Sequence, residues 1–138
     1  MKPNYDILAD YLSDHLWQRN TLDYDFLKSF PEFIYKGLAY RVHFLKEYTE
    51  PQNCETKSFA KSKNGIKIFL HNTLIYDTKF FDENTPYVFE CEVEGFDIHA
   101  ALMYFKKHGG LTSQTINEFI DEEEVIAFSH SPLIKIDF

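Results

Sequence analysis

Residues 120–128 read Ile-Asp-Glu-Glu-Glu-Val-Ile-Ala-Phe, so a run of acids passes directly into an apolar run. Val, Ile and Phe favour strands, which predicts a buried strand behind the acids. Successive side chains on a strand alternate between faces, so we expect Glu122 and Glu124 to point one way and Glu123 the other. Two carboxylates on one face suit chemistry at a cationic centre. The alternative is an ordinary acidic turn in contact with solvent.

The sequence on either side of this stretch predicts helices and strands that alternate irregularly. Apolar residues at spacings of three and four predict helices, and alternating aromatic and β-branched residues predict strands. The predicted helices are 4–19, 63–71 and 96–108, with short helical turns over 23–34 and 112–120. The predicted strands are 38–45, 86–93, 133–138 and the one behind the acids, with Ser58 ending or following a further short strand. This order favours a single α+β domain over a doubly wound parallel sheet.

Composition excludes several classes of function. The net charge of -8 argues against a nonspecific grip on nucleic acid, which needs clustered Lys and Arg. The sequence contains no signal peptide and no apolar run of membrane-spanning length, so we expect a cytoplasmic protein without a membrane partner. The cysteines, Cys54 and Cys91, and the scattered histidines lack zinc-ligand spacing, so no metal site is predicted.

Three motifs occur in a particular order along residues 38–138. They are Tyr40-Arg41 on a predicted strand, Ser58 before a predicted helix, and Glu122-Glu123-Glu124 before an apolar strand. In this order the chain resembles ADP-ribosyltransferases of the Arg-Ser-Glu class, including small bacteriophage enzymes of that kind. The pattern differs from the family's at Val42, where Gly is frequent, and after Ser58, where a second hydroxyl residue is common.

The resemblance implies a core over residues 37–138 with two small sheets and NAD, a substrate, in the cleft between them. Residues 1–36 would then be a helical N-terminal segment without a family motif. The implied reaction transfers ADP-ribose from NAD to an acceptor protein, with arginine as the expected acceptor side chain. A phage-encoded enzyme of this kind would act in the host cytoplasm, against host or defence proteins.

The resemblance also implies a role for each motif residue. Glu124 would stabilise the oxocarbenium-like ribose, and a carboxylate about 4 Å from that charge contributes roughly 4 kcal/mol at an effective dielectric near 20. Glu122 would orient or deprotonate the acceptor, and Ser58 would position the ribose and Glu124. Arg41 would hold the NAD pyrophosphate, for which its fork of donors is well suited. The candidate aromatic residues beside the nicotinamide are Phe80, Phe81 and Phe119.

A noncatalytic function is the competing interpretation of the same sequence. An acidic protein can inhibit a partner by covering a basic, nucleic-acid-binding surface, and the net charge of -8 would steer such an association. This interpretation predicts that Arg41 lies far from Glu124. The enzyme hypothesis requires Arg41, Ser58, Glu122 and Glu124 to converge on one cleft.

Overall fold

An antiparallel sheet with helices packed against it forms the framework of the protein, and the predicted α+β class is confirmed. The computed structural model describes residues 4–18, 23–49, 58–76 and 83–138. Two 3₁₀ turns, Pro31–Phe33 and Ile120–Glu122, accompany the regular elements. The α-helices are α1 (Tyr5–Gln18), α2 (Tyr24–Lys28), α3 (Lys63–Tyr76), α4 (Ile98–His108) and α5 (Ser113–Phe119). The strands are β1 (Ile34–Leu45), β2 (Ser58–Ala60), β3 (Thr85–Asp97), β4 (Glu124–His130) and β5 (Ile134–Ile136).

Most elements lie where the sequence pattern predicts them, with different bounds. Strands β1 and β3 each extend about four residues beyond the alternating segment, and α3 continues past His71. Ser58 opens β2, whereas the sequence placed it at or after a strand's end. As predicted, Gly109 ends α4, where its N–H donates to the carbonyl of Phe105. A positive φ at Gly109 explains the residue type.

The described strands are hydrogen-bonded into one five-stranded sheet, whereas the resemblance implied two. Their order is β1-β2-β4-β3-β5, and β1 also pairs with β3, so four of the strands close into a ring. Strand β3 has two different partners along its second edge. Its Val88–Glu90 segment pairs with β5 and its Val93–Asp97 segment pairs with β4, with a register shift between Glu94 and Gly95. The second edge of β3 therefore changes partners between Glu90 and Val93, and the bulge lies within its pairing with β4.

The N-terminal helices share a hydrophobic core with one face of the sheet. Apolar residues recur on α1 at helical spacing, and the face that they form packs against α4 and the ends of β3 and β4. Among the fully buried side chains of this core are Leu8, Leu12, Phe30, Phe96, Leu102 and Ile126. Residues 1–36 therefore contribute, through their described part, to the same core as the sheet.

The described residues contain neither a membrane-spanning helix nor a metal-binding cluster of side chains. In residues 4–18, 23–49, 58–76 and 83–138, no helix has the length and apolar character needed to cross a bilayer. Within the same ranges, no three His, Cys, Asp or Glu side chains gather in a way that could hold a metal ion.

Candidate active site

Glu124 lies at the start of β4 and is buried, although it follows a run of acids. Residue Ala60 of β2 pairs with Glu124, which places Ser58 and Glu124 on the same face of adjacent strands. The Ser58 hydroxyl donates to Oε2 of Glu124 at 2.8 Å. Glu124 is only 5% exposed, and a carboxylate in such a place needs polar partners because burial removes its hydration. The strand pairing thus assembles a buried Ser-Glu pair from distant parts of the sequence.

A second partner of Glu124 comes from the N-terminal helix. Nε2 of His15 lies 3.5 Å from Oε2 of Glu124, and both side chains are almost fully buried. His15 was not among the predicted site residues. Its one sequence signal is its position on the apolar face of α1, one residue before Leu16, where a polar side chain is unusual.

The three consecutive glutamates diverge, contrary to the alternation predicted from a strand. Only Glu124 belongs to β4, because Glu122 ends a 3₁₀ turn and Glu123 adopts the left-handed conformation, with φ of 51°. Asn72 donates to Oε1 of Glu122 at 3.3 Å. The Ser62 hydroxyl donates to Oε2 of Glu123 at 2.6 Å. Each acid therefore meets a different side chain from β2, α3 or the segment between them.

A glycine permits the close approach of α3 to the acidic turn. A Cβ built on Gly65 would lie 2.5 Å from the carbonyl oxygen of Glu122. The backbone of the preceding loop is also joined to this turn, because Lys61 N–H donates to the carbonyl of Glu123 at 3.0 Å. Gly65, which interrupts the helical pattern in the sequence, is thus explained by packing rather than by a helix end.

Arg41 approaches Ser58 from the other face of the sheet. Tyr40 pairs with Ala60, so strand alternation puts Tyr40, Ala60 and Glu124 on one face and Arg41 on the opposite one. Arg41 Nη1 donates to the backbone carbonyl of Ser58 at 2.6 Å, and its guanidinium lies 5.7 Å from the ring centroid of Phe59. Arg41 and Glu124 thus both contact Ser58, one at its carbonyl and the other at its hydroxyl.

His43 is a neighbour of Arg41 that the sequence did not single out. Nε of Arg41 donates to Nε2 of His43 at 3.3 Å, which requires an unprotonated acceptor nitrogen. Burial lowers the pKa of His43 below 6.5, and the Arg41 charge lowers it further. The neutral imidazole is therefore the form that suits this face of the sheet.

The predicted aromatic residues have separate outcomes. Phe80 and Phe81 lie outside the described residues. Phe119 packs edge-on against Trp17, with ring centroids 4.8 Å apart, and belongs to the interface between α5 and α1. Its ring therefore contributes to the hydrophobic core on the helical side of the sheet.

The chemistry open to this arrangement is electrostatic rather than that of a serine hydrolase. In a hydrolase triad the histidine stands between serine and acid and takes the serine proton. Here Ser58 and His15 both approach the same oxygen of Glu124. A carboxylate held in this way can stabilise a positive charge that develops beside it.

No protein-family model matches the chain, and neither the curated proteins nor the solved structures include a significant match to it.

Proposed function

We propose that this protein is an NAD-dependent mono-ADP-ribosyltransferase that modifies a protein, with arginine as the preferred acceptor. One observation carries the proposal: the Ser58 hydroxyl donates to the buried carboxylate of Glu124 at 2.8 Å. Ser-Glu pairing of this kind is what the resemblance to the Arg-Ser-Glu class requires. The pairing of β2 with β4 brings these two residues together although they lie far apart in the sequence. This supports a functional site rather than an ordinary acidic turn in contact with solvent.

In the proposed reaction the bond between nicotinamide and ribose breaks and nicotinamide leaves with the electron pair. The ribose acquires oxocarbenium character, and Glu124 stabilises its positive charge. The acceptor nitrogen then bonds to the same ribose carbon and loses a proton, for which Glu122 is the proposed base. The side chains of Glu122 and Asn72 are both half-buried, so a carboxylate at this position is open to an incoming side chain.

Arg41 is proposed to bind the NAD pyrophosphate at the end of β2. Arg41 and Glu124 lie on opposite faces and both contact Ser58, so a dinucleotide that touches both would lie beside Ser58. The Arg41 guanidinium already donates a hydrogen bond to the Ser58 carbonyl in β2. The ribose side of the ligand would then lie beside Glu124.

In this proposal the first half of the sheet is β5 with the start of β3, and the second half is β2 with β4 and the end of β3. Strand β1 pairs along the whole of β3 and so borders both halves. The partner change between Glu90 and Val93 separates these halves along β3. This division supports an ADP-ribosyltransferase-like core in which the two small sheets remain connected through β3. The division into halves is defined by which strands are hydrogen-bonded to each segment of β3.

Nicotinamide release from NAD by the purified protein tests the proposal, with cell lysate as the source of acceptor. Glu124→Gln keeps the shape of the side chain but removes its charge, so we expect turnover to fall by about a hundredfold or more. Glu118→Gln is the matched control, because Glu118 is an exposed acid on α5. It should turn over NAD at the wild-type rate and transfer label to the same lysate protein.

Two results would contradict the enzyme hypothesis. Equal turnover by Glu124→Gln and the wild type would remove Glu124 from the reaction. Absence of both NAD binding and nicotinamide release in the wild type would instead favour the acidic binding protein. A pull-down with the wild-type chain at low and high salt would then test for a basic partner, since electrostatic association weakens with salt.

A further inference from the structure

Helix α1 brings a histidine to the acid-bearing end of β4. Nε2 of His15 lies 3.5 Å from Oε2 of Glu124, and this same oxygen accepts the hydrogen bond of Ser58. His15 is 6% exposed and Glu124 is 5% exposed, so water contributes little to either group. The carboxylate is thus held between a strand residue and a helix residue.

The position of His15 is fixed by packing on both sides of it along α1. Leu12 and Leu16 are buried in the core beneath the helix. At its C-terminal end, Nε1 of Trp17 donates to Oγ1 of Thr115 at 3.0 Å, which ties α1 to α5. Helix α5 leads directly into the turn that carries the glutamates. The helix that supplies His15 and the turn that supplies Glu124 are therefore anchored to each other.

We propose that His15 is a positioning residue that fixes the orientation of the Glu124 carboxylate toward the nicotinamide ribose. This role depends on the proposed function, because it concerns how Glu124 meets the transition state. It makes the N-terminal helix a part of the site, although residues 1–36 carry no motif of the resembled family. Helix α1 would then contribute to catalysis through Glu124, without touching NAD itself.

The expected consequence of losing His15 follows from orientation. Without His15 the Glu124 carboxylate loses one of the groups that orient it, and displacement of a reacting group by about 1 Å can cost about a hundredfold in rate. Substrate binding does not use His15, so KM for NAD should stay unchanged. A fall in kcat at constant KM is what a positioning role predicts.

The test compares two substitutions at residue 15 with a control substitution at residue 14. His15→Leu fills the space without a donor, and we expect kcat for nicotinamide release to fall about tenfold to a hundredfold. His15→Gln can place an amide N–H near the position of Nε2, so most of kcat should return. Asp14→Asn, at an exposed position of the same helix, should match the wild type. If His15→Leu does not fold, His15→Asn takes its place, because its amide falls short of Glu124.

The outcomes separate this role from the proposed function. No nicotinamide release by the wild type overturns the function, and the role of His15 with it. Wild-type release with an equal kcat in His15→Leu overturns the role of His15 alone. Equal losses in the Leu and Gln variants, accompanied by equal falls in Tm, also overturn it, because they indicate a structural residue.

Discussion

At the scale of single residues, the side chains on the two faces of the sheet near Ser58 need different protonation states for their hydrogen bonds. Arg41 is always charged, and it donates to His43 on one face of the sheet. Glu124 is held on the other face by groups that can donate to a carboxylate. The strand pairing puts these two arrangements on opposite faces of the sheet. His43 is thus a pH-sensitive group on the Arg41 face, because burial and Arg41 lower its pKa.

We predict that His43 makes the protein less stable in mildly acidic solution. Its pKa in the folded protein lies below 6.5, because burial and then Arg41 disfavour the imidazolium. Above pH 6.5 the imidazole is neutral in both folded and unfolded states, so its contribution to stability is complete. As the pH falls, the unfolded chain binds the proton first and the free energy of unfolding decreases until the folded pKa is reached.

Urea unfolding at neutral and mildly acidic pH measures this effect. His43→Gln should show a smaller loss of stability between the two conditions than the wild type. Arg41→Met should raise the pKa of His43, followed by NMR of the imidazole, but not to 6.5, because burial remains the larger cause. A His43 pKa at or above 6.5 in the wild type would contradict this account.

At the scale of elements, the contact between α3 and the acidic turn depends on Gly65. Gly65→Ala should destabilise the protein by about 1–3 kcal/mol, because the new Cβ would meet the Glu122 carbonyl at 2.5 Å. Helix propensity alone predicts the opposite sign, since Ala is favoured over Gly inside a helix by about 1 kcal/mol. Urea unfolding decides between them. Asn64→Ala, at an exposed neighbouring position, is the control and should cause no loss of stability. A Gly65→Ala variant as stable as the wild type would show that the turn can move away.

The sequence predicts an element well when the residues that determine its structure lie within the element itself. The period of Leu8, Leu12 and Leu16 predicts α1, and the pattern of β1 predicts which of its faces carries Arg41, because both are local. The left-handed Glu123 was not predicted, since it is set by contacts with Ser62 and the Lys61 backbone, which belong to another part of the chain. For the same reason, Ser58 and Glu124 were predicted to converge only through the family resemblance. The partners His15 and Asn72 depend on helix packing, which no local pattern records.

At the scale of the whole molecule, α1 and the sheet share one core, so they should unfold together. Leu12 is fully buried in this core, and Leu12→Ala should cost about 2–5 kcal/mol. Calorimetry should show a single transition at a lower Tm, with no earlier loss of the helix alone. Ile7→Ala, at a position 53% exposed, should change stability by less than about 0.5 kcal/mol. A separate low-temperature transition for α1 would contradict a shared core.

Because β4 is needed to close the ring of strands, the site can form only late in the synthesis of the described residues. Strand β4 completes the ring, and it carries Glu124, whereas the partners of Glu124 come from α1 and β2. A growing chain that has not yet released β4 from the ribosome therefore has neither Glu124 nor its contacts with Ser58 and His15. Any activity that needs these contacts begins only after synthesis of β4. Activity would for that reason report in a single assay that His15, Ser58 and Glu124 have come together.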